Sequence, residues 1–495
     1  MNDVIKIIKN KNLSFEQKVI ELARYAENSI APIELSNETK EMIDKGIICD
    51  LFEGNAPYRP RYIIVDFNKF MKKGSTFLEL SPPKTLLEAV NNLLIFYKHI
   101  PSITTMPVYI GNIDYILEPF IKGDEDYEVI KLFLNHIDKT ITDSFCHANI
   151  GPKYTKAGEL ILKASKELQN PTPNITLKYD ENITPIEFAK LAIETSLITA
   201  KPSFANDKIF RADFNGDYAI ASCYNGLKIG GGSHTLVRSR LFRLAKESKN
   251  IDDFLNNQLV KLVNNMTDYM DKRIKFIVEE SGFFESNFLV KEEFIKIDNF
   301  TAMFGIVGLA EAVNYLLKLE GKKDRFGHSK IANELGYKII ETIDNLVKKH
   351  KGIYCNFSNN KYLLHAQVGI DSDTDCTPGC RIPIGEEPEI FEHIIQSAPF
   401  HKFFPSGIGD VFRFDKTTRN NLESILDIIK GGFKQGLRYI SFYEDNADVV
   451  RITGYLVKRS EIEKLDNNQV VLRDTTVLGK GARDNMKVLE RKLRK

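Results

Sequence analysis

Val450-Arg451-Ile452-Thr453-Gly454-Tyr455-Leu456-Val457 places a glycine inside an apolar, partly β-branched stretch near the C-terminal end of a 495-residue chain. Residues 449–457 read as strand. A glycine within such a pattern weakens it, and so marks a bend or a close backbone approach. An ordinary strand glycine is one reading of Gly454, and a chemical role is the other; the pattern is too short to separate them. Working outward, strand-like segments at 218–223, 362–370 and 411–414 alternate with helical ones at 253–279, 307–319, 329–349 and 418–435. A further helix is expected over 185–198, with Thr184 as N-cap and Pro185 in the first helical position. This alternation argues an α/β architecture whose central sheet or barrel is covered by helices. It does not choose between barrel and open sheet.

The first third reads largely helical, with candidates at 16–28 and from Pro83, a proline in the first turn. Leu51-Phe52-Glu53-Gly54-Asn55-Ala56-Pro57-Tyr58 lies between them as a turn-rich loop. Beyond Gly454, Ser460-Glu461-Ile462-Glu463 has capping-box spacing and predicts a short helix. Residues 484–492 read as a solvated surface helix that ends basic. Three regions are expected: 1–140 mainly helical, 141–400 the α/β barrel or sheet, and 401–495 carrying the Gly454 loop.

Hydrophobic residues make up 43% and charged residues 27% of the chain, the balance of a soluble globular protein. With 68 basic and 67 acidic residues the net charge is +1, so no overall field favours nucleic acid or an anionic membrane. The start lacks the apolar run of a signal peptide, and no apolar stretch is long enough to cross a bilayer. A cytoplasmic, enzyme-sized protein is expected. The six cysteines, Cys49, Cys146, Cys223, Cys355, Cys376 and Cys380, are scattered and do not form a disulfide framework.

Cys223 stands out by its surroundings. In Tyr218-Ala219-Ile220-Ala221-Ser222-Cys223-Tyr224-Asn225-Gly226-Leu227-Lys228, Asn225-Gly226 is a strong type I′ hairpin signal, because both residues tolerate positive φ. Cys223 then falls at or beside the tip. A small buried core thiol is the bland alternative. Cys376 and Cys380 in Asp375-Cys376-Thr377-Pro378-Gly379-Cys380-Arg381 could be half a metal site, a redox pair or competitors of Cys223, but no second cysteine pair exists to complete four ligands; no metal is expected, and inert loop thiols is the preferred reading. Gly230-Gly231-Gly232-Ser233-His234-Thr235 reads as leading into a helix and could offer N–H groups to an anion. It lacks a P-loop lysine, and a tight turn behind the hairpin is the preferred reading.

Arg451-Ile452-Thr453-Gly454-Tyr455 resembles the glycyl radical signature Arg-(Val/Ile)-x-Gly-(Tyr/Phe/Trp). Over nearly its whole length the chain resembles the YjjI family of glycyl radical enzymes. The likeness includes Ile48-Cys49-Asp50-Leu51-Phe52-Glu53-Gly54, Met106-Pro107-Val108-Tyr109, His147-Ala148-Asn149-Ile150-Gly151-Pro152 and Ser222-Cys223-Tyr224-Asn225. It continues through Met303-Phe304-Gly305, Gly308-Leu309-Ala310-Glu311-Ala312, His365-Ala366-Gln367 and Ser406-Gly407-Ile408. The resemblance implies a ten-stranded α/β barrel surrounded by helices. It implies a stored radical at the Cα of Gly454, with Arg451 and Tyr455 supporting the loop, and a thiyl relay at Cys223 on a finger reaching the barrel centre. The two sites are then expected within several ångströms of each other, since hydrogen-atom transfer needs near contact. It also implies a separate radical S-adenosylmethionine activase with an iron–sulfur cluster, no tightly bound cofactor, and a small-molecule substrate whose identity is not settled. A homodimer is left open.

Departures from better-known branches narrow the chemistry. Dehydratases of the choline or glycerol type carry Cys-x-Glu, whereas Asn225 stands here and cannot act as a general base. Pyruvate formate-lyase has two adjacent cysteines, whereas Cys223 is followed by Tyr224. Anaerobic ribonucleotide reductase has a C-terminal zinc site of two cysteine pairs, and no cysteine follows Cys380. Gly308-Leu309-Ala310-Glu311 and Gly454-Tyr455-Leu456 still look closer to the reductase branch. Candidate pocket groups are His147, Asn149, Glu311, His365, Gln367 and His401, each with a bland reading as a satisfied buried polar residue. The expected function is an anaerobic glycyl radical enzyme. Reductase-like deoxygenation and a non-catalytic binding barrel are the alternatives.

Overall fold

The computed structural model describes residues 3–50, 53–101, 107–367 and 373–495. Leu51, Phe52, Met106 and the 368–370 end of the expected 362–370 strand lie outside the described residues. Two sheets organise the chain. The six-stranded sheet runs in the order Leu493–Arg494, Asp410–Phe414, Tyr439–Glu444, Ser203–Asn206, Asn174–Tyr179, His147–Ile150. Each outer triplet is parallel, and the triplets meet antiparallel where Tyr439 pairs with Ala205. In the five-stranded sheet, Ile48–Cys49 and Tyr62–Ile64 run antiparallel to Gly231–Arg240, which is followed by parallel Phe300–Val307 and Leu363–Ala366.

Parallel strands joined by helices are covered on both faces, so their side chains are buried throughout. All ten residues of Gly231–Arg240 and all eight of Phe300–Val307 are buried. The helices Tyr127–Thr140, Lys156–Leu168 and Ile186–Thr199 cover the six-stranded sheet, contributing Phe133, Leu160 and Ile193 to one core. Leu259–Lys275, Leu309–Leu319 and Lys330–Lys349 cover the other, through Met266, Leu316 and Ile340. Each fully buried large apolar side chain contributes roughly 1.5–3 kcal/mol. Among the described residues no helix is long and apolar enough to cross a membrane.

Several local expectations change. Helix Ile186–Thr199 starts one residue later than expected: Pro185 is its cap position, and Thr184 accepts from the Asp180 N–H instead. Thr85 caps Leu86–Tyr97, leaving Pro83 outside the first turn. No capping box forms at Ser460, which lies inside helix Arg459–Asp466; Asp448 receives its N–H and hydroxyl. Gly231-Gly232 open a strand rather than a helix, since a Cβ on either would strike the backbone of Asn299 or Tyr62.

Two short hairpins stand apart from the sheets. Tyr218–Ala221 pairs with Asn225–Lys228, but the turn is Ser222-Cys223-Tyr224 rather than Asn225-Gly226. Ser222 takes the left-handed conformation at φ 57° and closes this three-residue loop. Gly226 serves close packing instead: a Cβ there would sit 2.6 Å from the Phe210 ring. The second hairpin pairs Val449–Arg451 with Leu456–Lys458, so the expected continuous strand folds back at Ile452-Thr453-Gly454-Tyr455. The C-terminal tail is not a surface helix either. The helix is Asp474–Met486, after which Val488, Arg491 and Arg494 are buried and Leu493–Arg494 joins the six-stranded sheet.

Candidate active site

Strand Asn174–Tyr179 alternates polar residues at 174, 176 and 178, which a strand turns to one face. All three are buried, and buried polar groups need partners. Lys178 and Asn174 find them on the two hairpins, and Thr176 on His147 and Tyr439 of the same sheet. Lys178 Nζ donates to the Tyr218 carbonyl at the base of the finger, 2.6 Å away. On the neighbouring strand, Asn149 grips the finger midway: its Nδ2 donates to the Ile220 carbonyl and its Oδ1 accepts from the Ile220 N–H, both at 2.8 Å. Near the tip, His147 Nδ1 lies 3.0 Å from the Ser222 carbonyl, and Nε2 lies 2.7 Å from Thr176 Oγ1. At the end of the same polar row, Asn174 Nδ2 donates to the Gly454 carbonyl at 3.3 Å.

The proton positions follow from these partners. A carbonyl only accepts, so His147 carries its hydrogen on Nδ1 and Nε2 accepts from the Thr176 hydroxyl. Burial holds this imidazole neutral by pushing its pKa down to about 3. Tyr439 OH, 3.0 Å from Thr176 Oγ1, donates to the Cys223 carbonyl at 3.1 Å. Tyr224 OH donates to the Ala366 carbonyl at 2.6 Å and ties the finger to the five-stranded sheet. The rungs therefore read from finger base to tip, where His147 is paired across the sheet with Asn174, the residue that holds Gly454. Neighbouring strands lie roughly 4.7–4.9 Å apart.

The glycine loop is fixed from three sides. The Arg451 guanidinium donates to the Gly454 carbonyl at 3.2 Å, the Ala200 carbonyl at 2.7 Å and Asn174 Oδ1 at 3.1 Å. Arg491, from the buried tail, donates to the Arg451 carbonyl at 3.0 Å and to the Ile452 carbonyl. Ser144 Oγ accepts from the Leu456 N–H at 3.2 Å, and the Phe145 and Tyr455 rings pack at 5.2 Å. Gly454 and Tyr455 are buried.

Burial pushes the Cys223 thiol up to about 11, against the hydroxyl of Ser222 and the charges of Arg451, Arg61 and Arg381. It is a protonated S–H at neutral pH, suited to giving a hydrogen atom rather than to nucleophilic attack.

The other candidates disperse. His365 Nδ1 donates to the Ser406 carbonyl at 3.1 Å beside the Tyr224 ring, and burial lowers its pKa to about 3. Gln367 follows Ala366 and bonds Ile306 through its backbone N–H. Glu311, in the first turn of helix Leu309–Leu319, accepts from the hydroxyl of Thr377 in the loop holding Cys376 and Cys380; burial raises its pKa. His401 Nδ1 accepts from the Arg438 N–H, within a buried cluster with Ser397 and Asp410. Cys376 lies against Gly308, and Cys380 packs in the apolar core. Reading the sequence missed Asn174, Thr176, Lys178, Tyr439 and Arg491. The polar alternation at 174, 176 and 178 was the available signal for the first three.

A family model described as glycyl radical enzyme YjjI-like matches residues 13–494. An uncharacterized protein of Haemophilus influenzae is 50% identical, covering 100% of this chain and 98% of its own. The uncharacterized protein YjjI of Escherichia coli is 41% identical over 99% of this chain and 95% of its own. Among solved structures, the anaerobic ribonucleotide reductase from Thermotoga maritima with dATP in its specificity site is similar with a TM-score of 0.72. That match covers 93% of this chain and 94% of the reductase at 13% identity, a likeness of fold. The chain belongs to the YjjI-like family of glycyl radical enzymes.

Proposed function

We propose that Gly454 stores the radical and Cys223 relays it to a small-molecule substrate. A separate radical S-adenosylmethionine activase takes one hydrogen atom from the Gly454 Cα. The resulting carbon radical takes the hydrogen of the Cys223 S–H, restoring the glycine and leaving a thiyl. The thiyl takes hydrogen from a substrate carbon, and the product radical recovers it from Cys223. No net electron is gained or lost in the relay.

The observation that carries the reading is the ladder of buried polar rungs, in which His147 and Asn174, directly paired on adjacent strands, hold the carbonyls of Ser222 and Gly454. Near contact of donor and acceptor is the requirement of hydrogen-atom transfer. The protonated, buried thiol supports the same reading. His147, Asn149, Thr176 and Tyr439 act as positioning residues that fix the finger tip rather than as acids or bases. Enclosure keeps water and oxidants from the radicals.

The test needs no substrate. Activated protein exposed to air is expected to break at Gly454 and release a C-terminal fragment beginning near Tyr455, which mass spectrometry reads directly. Gly454→Ala is expected to stay intact. A fragment of the same mass from Gly454→Ala would place the radical elsewhere.

A further inference from the structure

Three guanidinium groups act on the Cys223 thiol: Arg451, Arg61 and Arg381. Two are committed. Arg451 spends its terminal nitrogens on Gly454, Asn174 and Ala200. Arg61 Nη1 binds Glu53 Oε1 at 3.2 Å. Arg381 differs. Its Nε donates to the Gly409 carbonyl at 2.8 Å, which aims the group, but Nη1 and Nη2 are buried and meet no hydrogen-bond partner. The guanidinium carbon stands 5.8 Å from the ring centre of Tyr224, the residue after Cys223. Asp410 does not form a direct ion pair with it: this carboxylate is occupied by Ser397, His393 and His401.

A buried guanidinium with two idle donors is costly unless something pairs with it. Its planar fork matches a carboxylate or phosphate. A second unfilled group lies on the finger. Asn225, two residues after Cys223, is 1% exposed; the Tyr62 side chain is its polar neighbour, but neither atom of its amide meets a partner at full hydrogen-bond geometry. One such atom donates and the other accepts, so the amide suits a hydroxyl or carbonyl. Among the described residues, the groups with open hydrogen-bonding capacity at the finger include one cation, Arg381, and one neutral amide, Asn225.

We propose that the substrate is a small organic anion: Arg381 Nη1 and Nη2 receive its carboxylate or phosphate, and Asn225 receives a hydroxyl or carbonyl near the carbon presented to Cys223. This names a substrate class for the radical centre and so rests on that reading of Cys223. The anion is what sets it apart from a site for a neutral polyol.

The experiment uses the full-length, unactivated protein, so its outcome is separate from radical formation. Cys223 is alkylated with iodoacetate, which carries a carboxylate beside the reactive carbon, or with neutral iodoacetamide, and each adduct is quantified by peptide mass spectrometry. The iodoacetate-to-iodoacetamide rate ratio at Cys223 should exceed that of free glutathione. It should fall about tenfold or more in Arg381→Gln, the loss expected for a charge-assisted pair, and be partly kept in Arg381→Lys. Acetate and inorganic phosphate are then tested as protectants against iodoacetamide. Whichever protects identifies the anionic group, and glycerol at the same concentration should not protect. An unchanged ratio in Arg381→Gln, with its melting temperature intact, would overturn the proposal. Should that variant not fold, protection of the wild type decides: protection by glycerol equal to that by the anions, or by none of them, overturns it. Loss of anion selectivity would leave the cleavage at Gly454 unaffected, and absence of that cleavage would leave the anion preference standing.

Discussion

Replacing Arg491 by methionine should loosen the glycine loop while sparing the rest of the fold. Arg491 is 4% exposed and its guanidinium donates to the carbonyls of Arg451, Ile452 and Val488, at 3.0 Å for Arg451. Each buried carbonyl left without its donor costs about 1–3 kcal/mol. Part of that is offset, because the guanidinium no longer has to be desolvated, and methionine keeps most of the packing volume. A net loss of about 3–4 kcal/mol in local stability corresponds to opening of the loop increased by two to three orders of magnitude. Hydrogen exchange read by mass spectrometry tests this on the peptide spanning 449–458, where the Ile452 N–H is bonded to Tyr455 and the Leu456 N–H to Ser144. Exchange there should accelerate by roughly that factor, while the strand Phe300–Val307 keeps its protection. Unchanged exchange at 449–458 in a folded variant would refute the assignment of Arg491 as the pin of the loop. Equal acceleration in both peptides would show that its role is global.

Asn149→Leu leaves the Ile220 N–H and carbonyl without their buried partner, at a cost of about 2–4 kcal/mol. Iodoacetamide should then label Cys223 faster than in the wild type; an unchanged rate would remove Asn149 from the support of the finger. His147 has a folded pKa of about 3, below its unfolded value near 6.5. Below pH 6.5 the unfolded chain therefore binds a proton that the folded one does not, and stability is lost as pH falls. At pH 5 this amounts to about 2 kcal/mol. Urea unfolding at pH 7 and pH 5 should show that extra loss in the wild type relative to His147→Gln, and an equal pH effect in both would contradict the buried neutral imidazole. Elemental analysis of purified protein should find less than stoichiometric zinc, unchanged by Cys376→Ala or Cys380→Ala. One zinc per chain lost in either variant would make that loop a metal site.

Much of this organisation is legible in the chain because local rules and the fold agree. Alternating strand and helix signals give the α/β class, and Ser14, Thr85 and Ser329 cap their helices as short-range rules require. The two hairpins show where those rules fail. Asn225-Gly226 has the residues of a tight turn, yet Gly226 is needed where Phe210 and Phe214 crowd the backbone, and the turn forms just before it, at Ser222-Cys223-Tyr224. The basic tail looks solvated because most partners of its arginines are distant in sequence. Those partners are the carbonyls of Arg451, Ile452 and Pro388, which only the folded chain supplies. Tyr439 and Thr176 escape notice for the same reason: neither has a motif, and each is defined by the finger that folds against it. The histidines were conspicuous by type, but His147 and His365 each bond a backbone carbonyl at a hairpin or turn.

The relay between Gly454 and Cys223 can be read without knowing the substrate. A glycyl radical keeps one hydrogen on its Cα, and that hydrogen splits the electron paramagnetic resonance signal into a doublet. In D2O the Cys223 thiol becomes S–D. If the radical passes back and forth, Gly454 takes that deuterium and later returns either isotope, so its Cα hydrogen is replaced. The doublet of the activated wild type should therefore collapse with time in D2O, whereas Cys223→Ser should form the same doublet and keep it. A doublet that persists in the wild type, or one that collapses equally in Cys223→Ser, would contradict the relay.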